Sequence, residues 1–538
     1  MKKTFISSIV LLGIIVLAGT GCQKGNLVNN PNVASSNSFI QVSLILNRID
    51  NEIYNGGGVM DGVASNYPEY PFTQTYRLNQ YYLSTYPYYW GDNTYNWSNT
   101  ATMYSVLKYV ELMEQQTTAL YGATANPYTP LAKFFRAYLF VWYTQRVGDI
   151  PMSQAGNTAI LTPAYDAQHD VYKNCLALLD TANTLMGALV PKLGTTTITG
   201  DIYGLTVAQW QKVINSYKLR VLISLSKRAT DNADLNIPAQ FAAIFNNPTQ
   251  YPILGSNKDN LQFTYNSTVN YFPNFPNQSP YDYLAVMSNT VLNITTATQD
   301  PRTFVMATPA PYEIADTGNN KSLSDFTAYV GGDQSLSIPD LFTNAGNGLY
   351  SYPNALKYFV DKSGVTEGPY IMIGYPEMCF NIAEAAYLGW IDGSNAGTWY
   401  TNGIKGSLAY YGLQDGTVIP IGDQKANPLG SVTANVTTFL NNAAYVGNTA
   451  AGLTQILQQK YVAFWQNSGF EAYYNWRRTG IPAFSQGGVG IGTPNNQISL
   501  RWMYPNDEQA NNAANWQKAV TSQYGGTDDI TKPMWLIK

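Results

Sequence analysis

Apolar residues recur at helical spacing along most of this sequence. The clearest run begins at Thr100, and the apolar positions on one face of its 3.6-residue period are Met103, Val106, Leu107, Val110 and Met113. Similar patterns predict further helices over residues 131–147, 172–185, 210–225, 377–390, 400–411, 453–465 and 507–520. Because these helices recur in pairs, the pattern predicts an all-α, predominantly helical fold with tetratricopeptide-like helix pairs.

Four long stretches without this periodicity separate the predicted helices. They are rich in Tyr, Pro, Asn and Gly, and they cover residues 56–97, 254–283, 308–370 and 414–452. Loops of this length usually carry function or short strands of their own. We therefore expect long loops that decorate a helical frame, with few short strands. No convincing interdomain linker occurs in the mature chain, so we predict a single domain over residues 39–538.

The N-terminus carries a separate pattern. Lys2 and Lys3 precede an apolar run over residues 5–17, which is too short to span a membrane and is followed by small residues and Cys22. This segment resembles a bacterial lipoprotein signal, in which the cysteine becomes the lipid-bearing N-terminus. It indicates a signal peptide over residues 1–21, lipidation of Cys22 and a flexible tether over residues 22–38. Plain secretion, with Cys22 unmodified, is the alternative.

Composition narrows the chemistry that the chain can perform. One histidine, His169, and three cysteines exclude a His-based zinc or iron centre and a zinc ribbon, and we expect neither a metal site nor a cofactor. A net charge of −4 argues against a nucleic-acid partner. The sequence contains no GxSxG, no Gly-rich phosphate loop and no HExxH motif, so we do not expect an enzyme.

The low share of charged residues and the high share of aromatic residues indicate what the polar surface is made of. Charged residues make up 12% of the chain, whereas aromatic residues make up 14% and include 42 tyrosines. The polar surface must therefore consist mostly of Asn, Gln, Ser, Thr and Tyr, which suits hydrogen bonding and stacking with neutral sugars. A secreted protein with tyrosine-rich packing is the alternative interpretation. A strongly anionic glycan would require a Lys/Arg cluster that is not visible in the sequence.

Six short motifs follow one another in the second and later helical regions. In chain order they are residues 134–155 (FFRAY…QRVGDIPMSQA), 210–220 (WQK…NS.KLR), 300–302 (DPR), 377–387 (EM…AEAAY), 470–482 (FEAYYNWRRTGIP) and 501–511 (RWMYP..E..N). Together they resemble the SusD/RagB-like outer-membrane lipoproteins of Bacteroidetes, and most closely the starch-binding-associated branch of that family. The resemblance covers most of the mature chain.

The resemblance implies a function for the whole chain. It implies a cell-surface nutrient-binding lipoprotein, held in the outer membrane by its N-terminal lipid and facing the cell exterior. Such a protein captures oligosaccharides and delivers them to a partner, a SusC-like TonB-dependent transporter, without catalysis of its own. A peptide-capturing lipoprotein of the same family is one alternative. A secreted helical glycoside hydrolase is another, and it would need two carboxylates at a separation of roughly 5–10 Å.

Two aromatic-rich segments are the candidate ligand sites. Residues 81–97 contain eight aromatics in seventeen residues, interrupted by Pro and Gly. Flat rings stack on the C–H face of a pyranose, while Asp and Asn bond to its hydroxyls. The candidate ligand-binding residues in this segment are Tyr88, Tyr89, Trp90, Asp92 and Asn93, and those in the second segment, residues 266–283, are Tyr271, Phe272 and Phe275. Alternatively, the first segment packs against the first helix pair, and the second rests against the transporter.

The family motifs themselves are expected to be structural. Gly148 and Pro151 should end the second helix, because glycine adopts positive φ and proline cannot continue a helix. Arg477 and Arg478 should pair with helix-end carbonyls or with carboxylates such as Asp149, Glu377 or Glu384. We expect four side chains of the helical frame to be buried: Trp142, Trp210, Tyr217 and Leu219.

Overall fold

Nineteen α-helices and six short strands account for the regular structure in the described part of the chain. The computed structural model describes residues 40–54, 69–86, 93–273, 285–360, 363–493 and 495–538. The helices are α1 (Val42–Tyr54), α2 (Gln74–Leu78), α3 (Tyr104–Tyr121), α4 (Tyr128–Val147), α5 (Gln168–Leu193), α6 (Val207–Ser224), α7 (Ile237–Asn246), α8 (Asn289–Ala297), α9 (Arg302–Met306), α10 (Pro311–Ile314), α11 (Ile338–Gly346), α12 (Ala355–Tyr358), α13 (Tyr375–Tyr387), α14 (Asn395–Tyr410), α15 (Val436–Asn442), α16 (Ala450–Ala463), α17 (Glu471–Thr479), α18 (Asn506–Asn511) and α19 (Ala513–Tyr524).

The predominantly helical fold predicted from the sequence is confirmed. Each predicted helix is present, although the ends differ. The largest extension is in α5, which continues to Leu193 because Leu189 prolongs its buried face. The helix predicted over residues 507–520 is instead two helices, α18 and α19, which meet at Asn512. The backbone of Asn512 has φ −136° and ψ 36°, which is not helical.

The core is organised around helices that are buried on nearly every side. In α4, seventeen of twenty residues are buried, and in α6 fourteen of eighteen are. Helices α3, α4, α5 and α6 pack consecutively, each against its neighbour in the chain, and α1 packs on α3. Helix α6 then packs on α13, which in turn packs against α14 and α16. This consecutive packing is the arrangement of helix-pair repeats.

The boundaries of α4 show how local chemistry positions this frame. At its start, Asn126 accepts a hydrogen bond from the backbone N–H of Thr129 at 2.9 Å. At its end, Gly148 has φ 99°, a conformation that favours glycine. A Cβ at position 148 would lie 2.2 Å from the side-chain oxygen of Gln523 and 2.5 Å from the hydroxyl of Tyr524. Gly148 therefore ends the helix, as the sequence predicted, and admits α19 close to it.

The strands form three separate two-stranded antiparallel sheets. β1 (Tyr82–Ser84) pairs with β3 (Ala285–Met287), β2 (Leu261–Phe263) with β4 (Tyr370–Ile373), and β5 (Val418–Gly422) with β6 (Pro428–Thr433). All six lie in or beside the long stretches between the predicted helices. These stretches also contain α10, α11, α12 and α15, so they hold more regular structure than their composition indicates.

A buried ion network joins the central helices. Arg220 on α6 binds the carboxylate of Glu377 on α13, with 2.6 Å between Nε and Oε1. It also donates to the carbonyl oxygen of Met372 at 2.6 Å and lies 3.8 Å from Glu471 on α17. Burial, aided by the nearby Glu377, raises the pKa of Glu471 to about 7, and Arg220 opposes that rise. Arg220 is thus the cation shared by two buried carboxylates.

The same network extends along α16 and α17. Arg478 forms a two-pronged ion pair with Glu384 of α13, whose second oxygen lies 3.0 Å from it. Lys460 lies 3.7 Å from the same carboxylate, and burial lowers the pKa of Lys460 to about 8. Arg477 instead donates to the carbonyl oxygens of Gln145, in the last turn of α4, and Leu500. The expectation of carboxylate and carbonyl partners for this arginine pair is confirmed.

The side chains expected in the core are buried. Trp210 and Leu219 are fully buried, and Trp142 and Tyr217 are at most 6% exposed. The chain from Val42 to Lys538 forms one compact unit, while the predicted domain start at residue 39 stays a prediction. Within the described ranges, every helix is too short or too polar to cross a membrane.

Candidate functional site

The pairing of β1 with β3 brings the two aromatic-rich segments to one place. Ser84, the last residue of β1, lies opposite Ala285, the first residue of β3. The segment that follows β1 and the segment that precedes β3 are therefore anchored at the same end of one small sheet. These are the two segments in which the sequence placed its candidate ligand residues.

Asn93 closes the first of these segments at its base. Its side-chain oxygen accepts from the backbone N–H of Ser84 at 2.9 Å, and its side-chain nitrogen donates to the carbonyl oxygen of Ser84 at 3.0 Å. Asn93 is 1% exposed. Its amide is thus used on both sides to hold the two ends of the segment together, a structural contact that the sequence analysis did not foresee.

An exposed pair of aromatic rings stands beside this base. Tyr86 is 42% exposed and Phe342 is 55% exposed, and their ring centroids are 6.4 Å apart at a tilt of 53°. The hydroxyl of Ser84 donates to the carbonyl oxygen of Tyr86 at 3.0 Å, which fixes the backbone beside the ring. Exposed neighbouring aromatics on a fixed backbone form a surface on which a sugar ring can stack. We call Tyr86, Phe342 and the base at Ser84 and Asn93 the sheet-end surface.

Helix α11 positions Phe342 on this surface. Ser337 caps the helix by accepting from the backbone N–H of Asp340 at 3.2 Å, and Pro339 occupies its first turn. Leu341 is fully buried, whereas Phe342, the next residue, faces outward. The cluster beneath the surface consists of Leu83, Val286, Leu341, Tyr350 and Tyr352. The helix is therefore held by its inner face, and its outer face remains available.

The segment that carries Phe342 has little charge. Between residues 327 and 352 the charged residues are Asp333 and Asp340, with no Lys or Arg. Asp333 accepts from the backbone N–H of Ser335 at 2.9 Å, and Asp340 accepts from the hydroxyl of Ser337 at 2.6 Å. Both carboxylates are thus engaged in local turns. The segment around Phe342 therefore offers no cation for an anionic ligand.

The other candidate residues have different positions. Tyr88, Tyr89, Trp90, Asp92 and Phe275 lie outside the described residues. Tyr271 is 42% exposed, whereas Phe272 is 2% exposed and packs edge-on against Tyr265 at 5.1 Å. Ligand contact at all eight candidate residues stays a prediction. In the first aromatic segment, residues 81–97, four rings are fully buried, as expected if this segment packs against the helices: Tyr81, Tyr82, Tyr95 and Trp97.

Phe342 is a candidate that the sequence analysis missed. It lies in a stretch that was predicted to be a loop because of its Tyr, Pro, Asn and Gly content. The signal that could have found it is the sequence Ser337–Ile–Pro–Asp340, a capping residue followed by proline and an acid in the first turn. No group of three or more His, Cys, Asp or Glu side chains that could hold a metal ion occurs in the described ranges.

The comparisons with known proteins agree with this architecture. The sequence matches a SusD-like family described as starch-binding and associating with the outer membrane, over residues 34–505. Two SusD homologues of known structure from Bacteroides fragilis are 26% and 27% identical, with TM-scores of 0.77 and 0.73. Each comparison covers 93% of this chain and at least 99% of the homologue. A search of curated protein sequences finds no significant match.

A more distant structure shares the same fold. It is named a chitin-binding protein, is 22% identical with a TM-score of 0.65, and is matched over 92% of this chain and 99% of its own. Members of the matched family are nutrient-binding proteins associated with the outer membrane. Because the family match covers most of the sequence and the fold agrees along nearly all of both chains, this protein belongs to the SusD-like family of outer-membrane nutrient-binding proteins.

Proposed function

We propose that this protein captures oligosaccharides at the sheet-end surface and delivers them to a SusC-like TonB-dependent transporter. The observation that carries the proposal is the β1–β3 register, which anchors both aromatic-rich segments beside the exposed Tyr86–Phe342 pair. Aromatic rings supply the apolar contact for a sugar face, and the amide- and tyrosine-rich composition supplies hydrogen bonds to hydroxyls. The family's starch-binding description supports a glycan ligand.

The proposed delivery step requires the protein to remain at the membrane. We propose that Cys22 carries the lipid anchor, that residues 22–38 tether the folded unit, and that it faces the cell exterior beside its transporter. The sequence of residues 1–22 supports this proposal. Co-purification of a TonB-dependent transporter with the detergent-extracted protein would test the partnership.

Cys22→Ala should release the protein from membranes. Without the thiol, no acyl chain can be attached, and nothing else in the described helices could cross the bilayer. Fractionation of cells, followed by detection of the protein in membrane and soluble fractions, measures the effect. Cys175→Ala is the matched control, because that thiol is buried in α5 and should not affect the location. A soluble wild-type protein would contradict the lipid anchor.

Phe342→Ala should weaken oligosaccharide binding by roughly 30-fold, since a central aromatic anchor typically costs about 2 kcal/mol or more when truncated. The melting temperature should barely change, because the ring is 55% exposed. Titration calorimetry of neutral glycans found on a glycan array, with oligopeptides alongside, measures the affinity. Trp90→Ala should act in the same direction.

The control is Tyr121→Ala, which removes another exposed ring. Tyr121 is 53% exposed at the end of α3 and stacks near Tyr128, with 6.3 Å between centroids. Its loss should leave glycan affinity unchanged. A Phe342 variant with a lower melting temperature but normal affinity would remove the ring from the site. Binding of oligopeptides in place of glycans would favour the peptide-capturing alternative.

A further inference from the structure

A groove of about 570 Å³ opens where α17 ends, and it is separate from the residues of the sheet-end surface. Its walls come from the end of α17, the segment up to Gln486, residues 497–500, Thr531 and Lys227. Lys227 belongs to a short 3₁₀ turn, Ser226–Arg228. The volume lies within the range of small-molecule sites, roughly 300–1,000 Å³.

The groove is lined by three cationic residues and by no carboxylate. The cations are Lys227, Arg477 and Arg478, and they come from segments far apart in the sequence. Arg478 is compensated by its ion pair with Glu384. Arg477 is 7% exposed, and within the described structure its guanidinium donates to two carbonyl oxygens while its Nε has no hydrogen-bond partner. Its charge is therefore not balanced by a neighbouring acid.

Lys227 is in a similar position. Its ammonium donates to the carbonyl oxygen of Ile537 at 2.9 Å, with no carboxylate in ion-pair distance in the described structure. Burial and the neighbouring Arg228 and Arg478 lower its pKa. A group repelled by nearby cations gains from an anion placed beside it. Thr531, on the wall, donates its hydroxyl to the carboxylate of Asp529 at 2.7 Å, and Asp529 does not itself line the groove.

The other lining groups match the neutral parts of a sugar. Trp476 and Phe484 stack in parallel, with centroids 5.1 Å apart at 5°, and form the apolar part of the wall. Gln486 and Gln497 are exposed, and although the amide oxygen of Gln486 accepts from the backbone N–H of Ile498 at 3.3 Å, its NH₂ group and the amide of Gln497 can serve hydroxyl groups. Cations, amides and an apolar wall thus occur in one groove.

We propose that this groove binds a hexuronic acid unit of a glycan, with the sugar carboxylate against Lys227 and the Arg477 side and the ring hydroxyls against the glutamine amides. The inference rests on the proposed function, because it gives the captured glycan an acidic component. Neutral units of the same glycan would bind the sheet-end surface. The sequence alone indicated a neutral ligand because Lys227 and the pair Arg477–Arg478 lie far apart along the chain, and only the fold brings them into one groove.

An oligogalacturonide trimer and a neutral galactose trimer distinguish the two surfaces. Calorimetry on the mature chain should show that the wild-type protein binds the acidic trimer. In Lys227→Gln the affinity for this trimer should fall about tenfold, because one cation is removed. Gln497→Glu, which places a carboxylate in the groove, should weaken it at least as much. Raising salt from about 50 to about 500 mM should reduce acidic binding, because screening shortens the range of the charges. Lys173→Gln, at an exposed lysine outside the groove, is the matched control.

Each outcome decides between the proposals. Loss of acidic binding in both groove variants, with normal melting temperatures and normal binding of the neutral trimer, supports the groove. Failure of the wild-type chain to bind the acidic trimer, or binding by both variants that equals that of the wild-type chain, overturns it. Tighter binding of a tripeptide through its free carboxylate would assign the groove to peptides and also overturn it. The Phe342→Ala result is independent, so the proposed function can stand or fall on its own.

Discussion

Arg220→Met should lower the free energy of unfolding by about 3–5 kcal/mol, the usual cost of removing one partner from a buried ion pair. Arg220 is 7% exposed and is bonded to Glu377 and to the backbone of Met372. Without the guanidinium of Arg220, the carboxylates of Glu377 and Glu471 lie close together in the interior with less positive charge to balance them. Chemical denaturation followed by circular dichroism measures the change.

Two further variants sharpen this prediction. Lys173→Met removes an exposed ion pair with Asp234, which is 2.9 Å long, and should cost much less stability, because solvent screens the two charges. Adding Glu471→Gln to Arg220→Met should restore part of the lost stability, because one of the two uncompensated carboxylates becomes neutral. If the Arg220 and Lys173 variants lost the same stability, the buried network would not hold α6, α13 and α17 together as described.

Trp210→Ala should cost roughly 3–5 kcal/mol, as expected when a large side chain is truncated in a packed core. The indole is fully buried and lies edge-on to Phe134 and Phe135, with 5.6 and 5.8 Å between centroids. Its N–H also donates to the carboxylate of Asp201 at 2.8 Å, so truncation removes one of the hydrogen bonds to that carboxylate and leaves those from the backbone N–H groups of Tyr203 and Leu205. Thermal unfolding monitored by calorimetry gives the loss.

Trp399→Ala is the matched control for this core truncation. Trp399 lies on α14, is only partly buried, and has a ring contact with Phe245 at 6.1 Å. Its removal leaves a space open to solvent in place of a closed cavity, so the cost should be clearly smaller. An equal loss of stability in the two variants would show that burial does not set the cost here.

The helical frame could be predicted because its signal is local. The apolar period of α4 and α6 repeats over several turns, and Gly148 marks one end by its own backbone conformation. The burial of Trp210 and Leu219 follows from the same period. Helix α11 was missed although Ile338, Leu341, Phe342 and Ala345 follow the helical period, because it spans only nine residues inside a long stretch rich in Tyr, Pro, Asn and Gly.

The candidate surfaces could be predicted only in part. The aromatic segments were visible as composition, but the register that unites them depends on strands far apart in the chain. Likewise, the basic groove combines Lys227 with Arg477 and Arg478, and no sequence window contains all three. Tertiary packing determines which distant residues come together, and a local sequence pattern carries no information about these contacts. Asn93 illustrates the same point, because its polar side chain serves the backbone of Ser84.

The β1–β3 pairing has a consequence for how such a protein can diversify. The segment between Ser84 and Asn93 and the segment before Ala285 are each fastened at the sheet, while the register itself uses backbone hydrogen bonds. Insertions or exchanges between these fastening points need not disturb the packed helices. Exchanging these segments for those of a relative that binds a different glycan should therefore transfer the ligand preference, provided that Ser84, Asn93 and Ala285 are retained. The helical frame can then remain constant while selection changes the ligand specificity.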